Sequence, residues 1–459
     1  MSHSSTDPAE IETAAEEVRQ VSLCVDFNRA LVLHSYLAEA LLAALRNRPL
    51  LLFVLPFWLL KGRSHFSQNV YKHGFPDAAL LPYNREIVTA LHAKKKAGHS
   101  LYLACNLPLD RANEISEHLG LFDRTLSHAD LGTGYDADPP KFLHDFFGDS
   151  PYLYAGRLFF GAGASSLFSK LFVCMRAARL HQWVKNSLIF VPLLLAHQFA
   201  QPFKVANAAI AFLSLSLCAS SLYVLNDLLD LEADRAHVRK RHRPFASGEL
   251  GVFTGFGLIL LGLAASVFCA WQLPVAAAQL IVVYAVVNFL YSAFLKRFLF
   301  LDTVTLAFLY TLRILLGGSA TNIEVSVWTL AFSVFFFLGL ALLKRVVELV
   351  PAKPNEATAA SRRAYTSADL ASVNSFASSA LFISVLITVL YINSPDVVRL
   401  YRHPQFLWLI SLPLLYWIGR LLTLANRGLL TDDPIVFAFR DKASYLVGIA
   451  VLVCAYLAT

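Results

Sequence analysis

Residues 226–250 read NDLLDLEADRAHVRKRHRPFASGEL and follow directly on an apolar run. Asp227, Asp230, Glu232 and Asp234 stand beside Arg235, Arg239, Lys240, Arg241 and Arg243. Carboxylates three and four residues apart share one face of a helix. At the end of a membrane helix such a face is costly unless it has a task. Magnesium bridging a phosphate suits the pattern, because hard carboxylate oxygens hold the ion while substrate phosphate completes its coordination. A cluster that only set topology would need basic residues and no aligned acids.

The rest of the chain fits a membrane setting. Hydrophobic residues make up 56% of it and charged residues only 15%, too apolar for an ordinary soluble chain. From residue 179 onward, apolar runs of spanning length lie near 184–200, 205–225, 251–271, 274–294, 299–319, 325–343, 370–393, 405–424 and 443–458, which predicts about nine helices. Basic residues gather at 235–243, at Lys296 and Arg297, and at 344–363, on alternate helix ends; Arg399 and Arg402 are exceptions. The positive-inside rule makes that side cytoplasmic. Residues 1–20 are polar and acidic and lack the basic and apolar regions of a signal peptide, so a disordered, cytoplasmic N-terminus is expected. With nine helices the C-terminus then lies outside. The net charge of +7 is concentrated in these loops, which points to membrane orientation and anionic substrates, and no nucleic-acid motif accompanies it. Six scattered cysteines without a C-x-x-C pair exclude a zinc or disulfide framework.

The first 170 or so residues are more polar. Residues 21–32, VSLCVDFNRALV, predict a short buried strand that turns at Asp26 into a helix, with a second strand at 100–105 and a helix at 110–120. Strand, helix and strand predict a parallel α/β sheet. Residues 50–60, LLLFVLPFWLL, are too few to span a bilayer and are interrupted by Pro56. They predict either an interfacial segment with Arg46, Arg48, Lys61 and Arg63 at headgroups, or a buried cap helix.

VDFNRAL at 25–31, LLPYNRE at 80–86 and EHLGLFD at 117–123 resemble the haloacid dehalogenase-like hydrolases in composition and order. The resemblance implies a catalytic set that has eroded. Asp26 keeps the nucleophile position, but Asn28 replaces the general acid, and an amide cannot deliver a proton. Ala30 replaces a hydroxyl or β-branched residue, and Cys105 and Asn106 stand where a Ser or Thr is expected. Lys141 occupies the phosphate-contacting position. Gly148-Asp149-Ser150 resembles the start of the last acidic motif, with Leu153 and Tyr154 in place of its second acid. The resemblance thus implies a vestigial site at Asp26, Asn28, Lys141 and Asp149 and a pseudo-hydrolase domain over residues 21–165.

The motif at 226–248, NDxxDxxxDR with a KRxRPxAxG tail, is similar to the first aspartate-rich motif of the UbiA superfamily of intramembrane prenyltransferases. RLHQWVKN at 179–186 and YSAFLK at 291–296 extend that resemblance over residues 170–459. It implies an all-α membrane bundle around a cavity, with its polar motifs at the cytoplasmic mouth, in a bacterial inner membrane. Relatives that prenylate an aromatic acceptor carry a second aspartate motif; here Asp302 is followed by Leu306 and, three turns on, by Arg313. A lone intramembrane arginine needs an anion or a structural ion pair. Arg313 to Gly318 (RILLGG) and KRVVEL at 344–349 more closely resemble the branch that makes polyprenyl-phosphoryl phosphoribose. In that branch a polyprenyl phosphate attacks the anomeric carbon of phosphoribosyl diphosphate and diphosphate leaves, and phosphates from two substrates demand many cations.

The resemblance assigns roles accordingly. Asp227, Asp230 and Asp234 hold magnesium, with Asp227, Asp230 and Lys296 as the catalytic set, and Asn226 orients one of the acids. Lys240, Arg241 and Arg243 grip phosphate oxygens, the arginines through their forked donors. Lys185, Arg235, Arg313, Lys344 and Arg345 complete the substrate-binding set. A phosphate monoester is already anionic, so no general base is needed, and His237 is left a structural role. Asp432, Asp433 and Asp441 read as a solvated loop. Two alternatives stay open: transfer of a polyprenyl diphosphate to an aromatic acceptor, and a non-catalytic membrane scaffold or carrier.

Overall fold

The computed structural model describes residues 22–126, 152–155, 167–238, 240–350, 365–394, 397, 401–430, 434–438 and 440–458. In chain order these form β1 (Ser22–Asp26), α1 (Tyr36–Asn47), α2 (Leu55–Leu60), α3 (Arg63–His73), α4 (Arg85–Lys96), β2 (Leu101–Ala104), α5 (Leu109–Leu119), β3 (Arg124–Leu126), β4 (Tyr152–Ala155), α6 (Leu167–Ala177), α7 (Val191–Leu195), α8 (Pro202–Leu229), α9 (Leu231–Ala236), α10 (Val252–Trp271), α11 (Val275–Ala293), α12 (Leu301–Thr321), α13 (Val327–Leu349), α14 (Leu370–Ile392), α15 (Ser411–Asn426), α16 (Pro434–Ala438) and α17 (Lys442–Ala458). They divide into two compact units, residues 1–178 with 223–259, and residues 179–222 with 260–459. The divisions fall inside α8 and α10, so the aspartate-rich stretch clusters with the N-terminal sheet.

In the first unit the sheet order is β3-β2-β1-β4, with every pairing parallel. Both faces of such a sheet must be covered. Leu23 and Val25 of β1 and Leu101 and Leu103 of β2 are accordingly buried in one core with Ile87, Leu91 and Ile115 from α4 and α5. Asn84 caps α4 by accepting from the backbone N–H groups of Glu86 and Ile87, and Lys94, Lys95 and Lys96 complement the dipole at its other end. Gly120 ends α5 at a φ of 63°, the left-handed conformation favoured after a helix. Asp26 lies at the carboxyl end of β1, between strands whose connections diverge, which is where ligands bind in open α/β sheets. Lys141 and Asp149 of the expected hydrolase remnant, and the expected disordered residues 1–20, lie outside the described residues.

Residues 49–60 do not form the buried cap helix that one reading predicted. A 3-10 turn, Pro49–Phe53, leads into α2, and neither contains a buried residue.

The membrane portion is all-helical. Seven helices are long and apolar enough to cross a bilayer: α8, α10, α11, α12, α13, α14 with the turn Ser367–Asp369, and α15 with the turn Pro404–Ile410. This corrects the expectation of about nine among the described residues. The predicted first span is instead a 3-10 stretch, Leu180–Phe190, followed by the five-residue α7. Arg179 enters it in a left-handed conformation, Pro192 stands in the first turn of α7 with no N–H to continue the preceding turns, and His197 leaves α7 in another left-handed conformation, so the predicted span is not one helix. The predicted last span forms as the apolar helix α17, at 17 residues shorter than the other seven. The core of the second unit joins Ala307 and Ile314 of α12, Phe337, Leu340, Leu342, Leu343 and Val346 of α13, Ala377 and Leu381 of α14, and Ile418 and Leu421 of α15. Gly317 lets α12 lie against the 3-10 stretch, since a Cβ there would stand 2.0 Å from the carbonyl oxygen of Ile189.

Candidate functional site

In the first unit, Asn226 and Asp227 sit in the last turn of α8, Asp230 occupies the joint, and Asp234 lies one turn further on in α9. The backbone N–H of Asp230 donates to the Asn226 carbonyl, and that of Asp234 to the Asp230 carbonyl, so the helical register runs through the joint. The i, i+7 spacing then brings Asp227 and Asp234 to one side, and both are buried. Arg243 Nη1 meets both, at 3.1 Å from Asp227 Oδ1 and 2.6 Å from Asp234 Oδ2. Lys240 and Arg241 are exposed on the turn between α9 and Arg243. His237 Nδ1 accepts from the Lys240 backbone N–H at 3.5 Å, a bond within the turn.

Among the described residues no three His, Cys, Asp or Glu side chains gather as a ready-made ion cage. The donor set still suits magnesium, which keeps several waters and takes only one or two carboxylates plus substrate phosphates. Two buried carboxylates already share a point of positive charge at Arg243 Nη1.

Arg235 is held differently. Its Nη1 and Nη2 donate to Glu39 Oε2 and Oε1 of α1 at 3.0 and 2.7 Å, with both side chains buried. Arg46 pairs with Glu232, and Glu249 pairs with Arg176. His34 Nε2 lies 2.8 Å from the Gly248 carbonyl oxygen. Gly248 has a φ of 78°, and a Cβ there would stand 2.8 Å from Leu33 Cδ1. Apolar packing follows the same line, with Ala38 and Leu42 of α1 in one cluster with Val224, Leu228, Leu231, Phe245 and Val252. The sheet unit therefore holds the aspartate-rich stretch from both ends. Glu39 escaped notice in the sequence, although a lone acid inside YLAEALLAAL was the available signal.

At the position where the sequence suggests a hydrolase remnant, Asp26 is buried, and burial, with Asp26 and Cys105 nearby, pushes the Cys24 thiol far above its ordinary range, leaving it inert. Asn28 Oδ1 accepts from the backbone N–H of Tyr36, so it caps the start of α1.

The second unit holds Lys185, Lys296, Arg313, Lys344 and Arg345. Lys185 lies in the 3-10 stretch and Lys296 in the turn Leu295–Arg297, both half-buried. His181 is held below its usual pKa by burial and by the positive charges of Arg179, Lys185 and Arg440, which marks a cationic patch. Arg313 is buried, and among the described residues none of its hydrogen-bond acceptors is an acid. Its Nε donates to Asn186 Oδ1 at 2.8 Å, Nη1 to the Leu309 carbonyl and Nη2 to the Tyr284 hydroxyl at 3.1 Å, and its guanidinium lies about 5 Å from the rings of Tyr284 and Tyr310. Asn186 is itself braced by Ser216.

Asp302 and Arg345 form a buried pair, Nε to Oδ2 at 2.8 Å, with side-chain exposures of 0% and 1%. Tyr365 donates to Asp302 Oδ1 at 2.8 Å, and Arg345 Nη1 bonds Glu348. Arg345 Nη2 has no hydrogen-bond partner, and the Nε to Oδ2 approach is close but poorly angled for a hydrogen bond. Tyr365 had no sequence signal, because it follows the basic loop. Asp441 is bonded by both Arg420 nitrogens and caps Ser444, so the solvated-loop reading does not describe it; Asp432 and Asp433 lie outside the described residues.

Residues 187–442 match the UbiA prenyltransferase family. The chain is 32% identical over 462 residues to the uncharacterized protein y4nM of Sinorhizobium fredii, spanning 94% of this chain and 89% of that one. It is 34% identical over 271 residues to the nodulation protein NoeC of Azorhizobium caulinodans, covering 58% and 87%. It is also 35% identical over 179 residues to the decaprenyl-phosphate phosphoribosyltransferase of Mycolicibacterium smegmatis, covering 38% of this chain and 56% of that enzyme.

Proposed function

Because the chain belongs to the UbiA prenyltransferase family and is an integral-membrane transferase, we propose that it transfers phosphoribose from phosphoribosyl diphosphate to a polyprenyl phosphate. The observation that carries this reading is the Asp302–Arg345 pair. The acid at the place of a second aspartate motif is neutralised inside the bundle and bonded by Tyr365, which leaves the Asp227–Asp234 pair as the acidic centre for a single metal. The likeness to the phosphoribosyltransferase, over 179 residues, supports it.

In this reading a polyprenyl phosphate oxygen attacks the anomeric carbon of the donor, a new C–O bond forms, and the bond to diphosphate breaks. Bound magnesium would supply charge neutralisation on the departing diphosphate. Asp227 and Asp234 would hold it, with Asp230 beside them. Arg243 then exchanges its carboxylate partners for phosphate oxygens, while Lys240 and Arg241 add charge at the exposed turn. Lys185, with Arg179 and His181 beside it, receives the polyprenyl phosphate, and Lys296 and Lys344 add further cationic contacts, while Arg345 is taken up by Asp302 and Glu348 and is not among them. Arg313, a buried cation held by neutral acceptors and aromatic faces, adds a positive field without spending it on an acid. The sheet unit acts as a pseudo-hydrolase of the haloacid dehalogenase-like kind that braces the aspartate-rich stretch. Asn28 in the acid position supports this, since its amide is used as a helix cap.

The test is purified full-length protein in detergent with magnesium, labelled phosphoribosyl diphosphate and a polyprenyl phosphate, beside Asp227→Asn. Lipid-linked phosphoribose is expected with the parent protein and not with the variant. No such product, with prenylated hydroxybenzoate appearing when polyprenyl diphosphate and 4-hydroxybenzoate are supplied, would overturn the reading.

A further inference from the structure

The segment Pro49–Phe53 and α2 carry an apolar surface that the transferase reading leaves unused. Leu50, Phe53 and Leu60 are 76%, 73% and 84% exposed, and Leu52, Phe57 and Leu59 are also exposed. The segment is nevertheless a built platform. Leu55 and Trp58 pack inward against the core of the sheet, and the Trp58 ring lies 5.5 Å from that of His73. One side is thus fixed to the protein while the other presents contiguous leucine and phenylalanine outward, a surface that a water-facing domain does not keep without an occupant.

Three observations identify that occupant. Arg48 stands immediately before the segment and Lys61 and Arg63 immediately after it, all exposed. Not one Asp or Glu occurs from residue 40 to residue 76, so the region is purely cationic. The same unit contains the end of α8 and the start of α10, both helices of spanning character, and α1, which leads directly into the segment, packs on them through Ala38 and Leu42. A twelve-residue segment cannot cross a bilayer, but an apolar face with cations at its margins matches the boundary between headgroups and acyl chains. α6 repeats the arrangement. Val173, Cys174 and Ala177 pack inward, while Leu171, Phe172 and Met175 are exposed on the outer side beside Lys170.

We propose that Pro49–Leu60 inserts its outer face into the leaflet surface, with Arg48, Lys61 and Arg63 on the headgroups of anionic phospholipids. The α/β unit is then a membrane-surface module in its own right, held at the bilayer by this contact as well as by its chain connections. Such a contact fixes the height of the unit that braces the aspartate-rich stretch, and it ties the proposed active centre to the charge of the surrounding lipid.

The experiment places the photocrosslinking residue p-benzoylphenylalanine at Leu52 or Phe57, with Gln68 on α3 as an exposed control. The full-length chain is held in nanodiscs of phosphatidylcholine alone or mixed with phosphatidylglycerol. Peptides carrying residue 52 or 57 should gain the mass of a phospholipid, at yields several-fold above those at 68 and higher with phosphatidylglycerol. The triple variant Arg48→Glu, Lys61→Glu, Arg63→Glu should lose the phosphatidylglycerol increase. Adducts with a second copy of the chain or with another segment of the same chain would overturn the proposal, as would lipid yields at 52 and 57 no higher than at 68. Lipid insertion can fail while phosphoribosyl transfer in detergent persists, so the two readings are tested separately.

Discussion

Glu39 holds Arg235 through two parallel hydrogen bonds, 196 residues apart in sequence and buried on both sides. Arg235 follows Asp234 directly, so a helix of the sheet unit sets where the second carboxylate of the candidate metal pair stands. This makes Glu39 a positioning residue. Removing one partner of a buried pair leaves an uncompensated charge, at a cost of about 3–5 kcal/mol. Glu39→Ala should lower the melting temperature and cut turnover, with Glu39→Asp recovering part of both. Unchanged turnover and unchanged magnesium dependence in a folded Glu39→Ala protein would show that the clamp does not position the acids.

Arg243 occupies the place between Asp227 and Asp234 that a metal would share. Its guanidinium competes with a divalent cation until phosphate draws it away. Arg243→Ala should therefore tighten Mn2+ binding to the substrate-free protein about tenfold, about 1.4 kcal/mol, while lowering turnover. Titration followed by electron paramagnetic resonance reads the first and product formation the second. Weaker Mn2+ binding in that variant would place the metal elsewhere.

The acidic face, the apolar spans and the parallel sheet were legible because each is a periodic signal: i, i+3 and i+4 carboxylates, runs of spanning length, and strand–helix alternation. The break in the first predicted span was not, because hydropathy averages over a window while helix continuity depends on single backbone conformations such as those of Arg179 and His197 and on Pro192. Partners distant in sequence were invisible for a related reason. Glu39 to Arg235, Asn186 to Arg313 and Tyr365 to Asp302 join elements whose meeting is decided by packing, and no local spacing encodes it. Asp302 was read as an acid without a second acid beside it; its neutralisation by Arg345 required the bundle.

Asp302 gives a stability test that separates structure from charge. Asp302→Asn leaves Arg345 buried with only the more exposed Glu348 as its acid and should cost up to about 3–5 kcal/mol, whereas the double variant Asp302→Leu, Arg345→Met should cost less than Asp302→Asn alone. Tyr365→Phe removes the hydrogen bond that Tyr365 donates to Asp302 and the one it accepts from the Phe300 backbone N–H, and the charged one alone should cost about 1.5–3 kcal/mol. Thermal unfolding in detergent compares them. A double variant as damaging as the sum of its parts would argue that Arg345 has a role of its own beyond pairing.

His181 makes the cationic patch measurable by pH. Burial and the neighbouring Arg179, Lys185 and Arg440 depress its folded pKa, so the folded protein resists a proton that the unfolded chain accepts near pH 6.5. The sign follows from proton counting: the unfolded state binds more protons in this window, so stability is full above about pH 6.5 and is lost as pH falls through the folded pKa. His181→Gln should flatten that acid loss. If Lys185 and its neighbours receive a phosphate, a short-chain polyprenyl phosphate should offset the surrounding charge and raise the His181 pKa. In the parent protein the lipid would then stabilise more strongly at pH 5.5 than can be explained from the His181→Gln protein under the same conditions. Equal stabilisation of both proteins across that range would remove His181, and with it the patch, from the phosphate site.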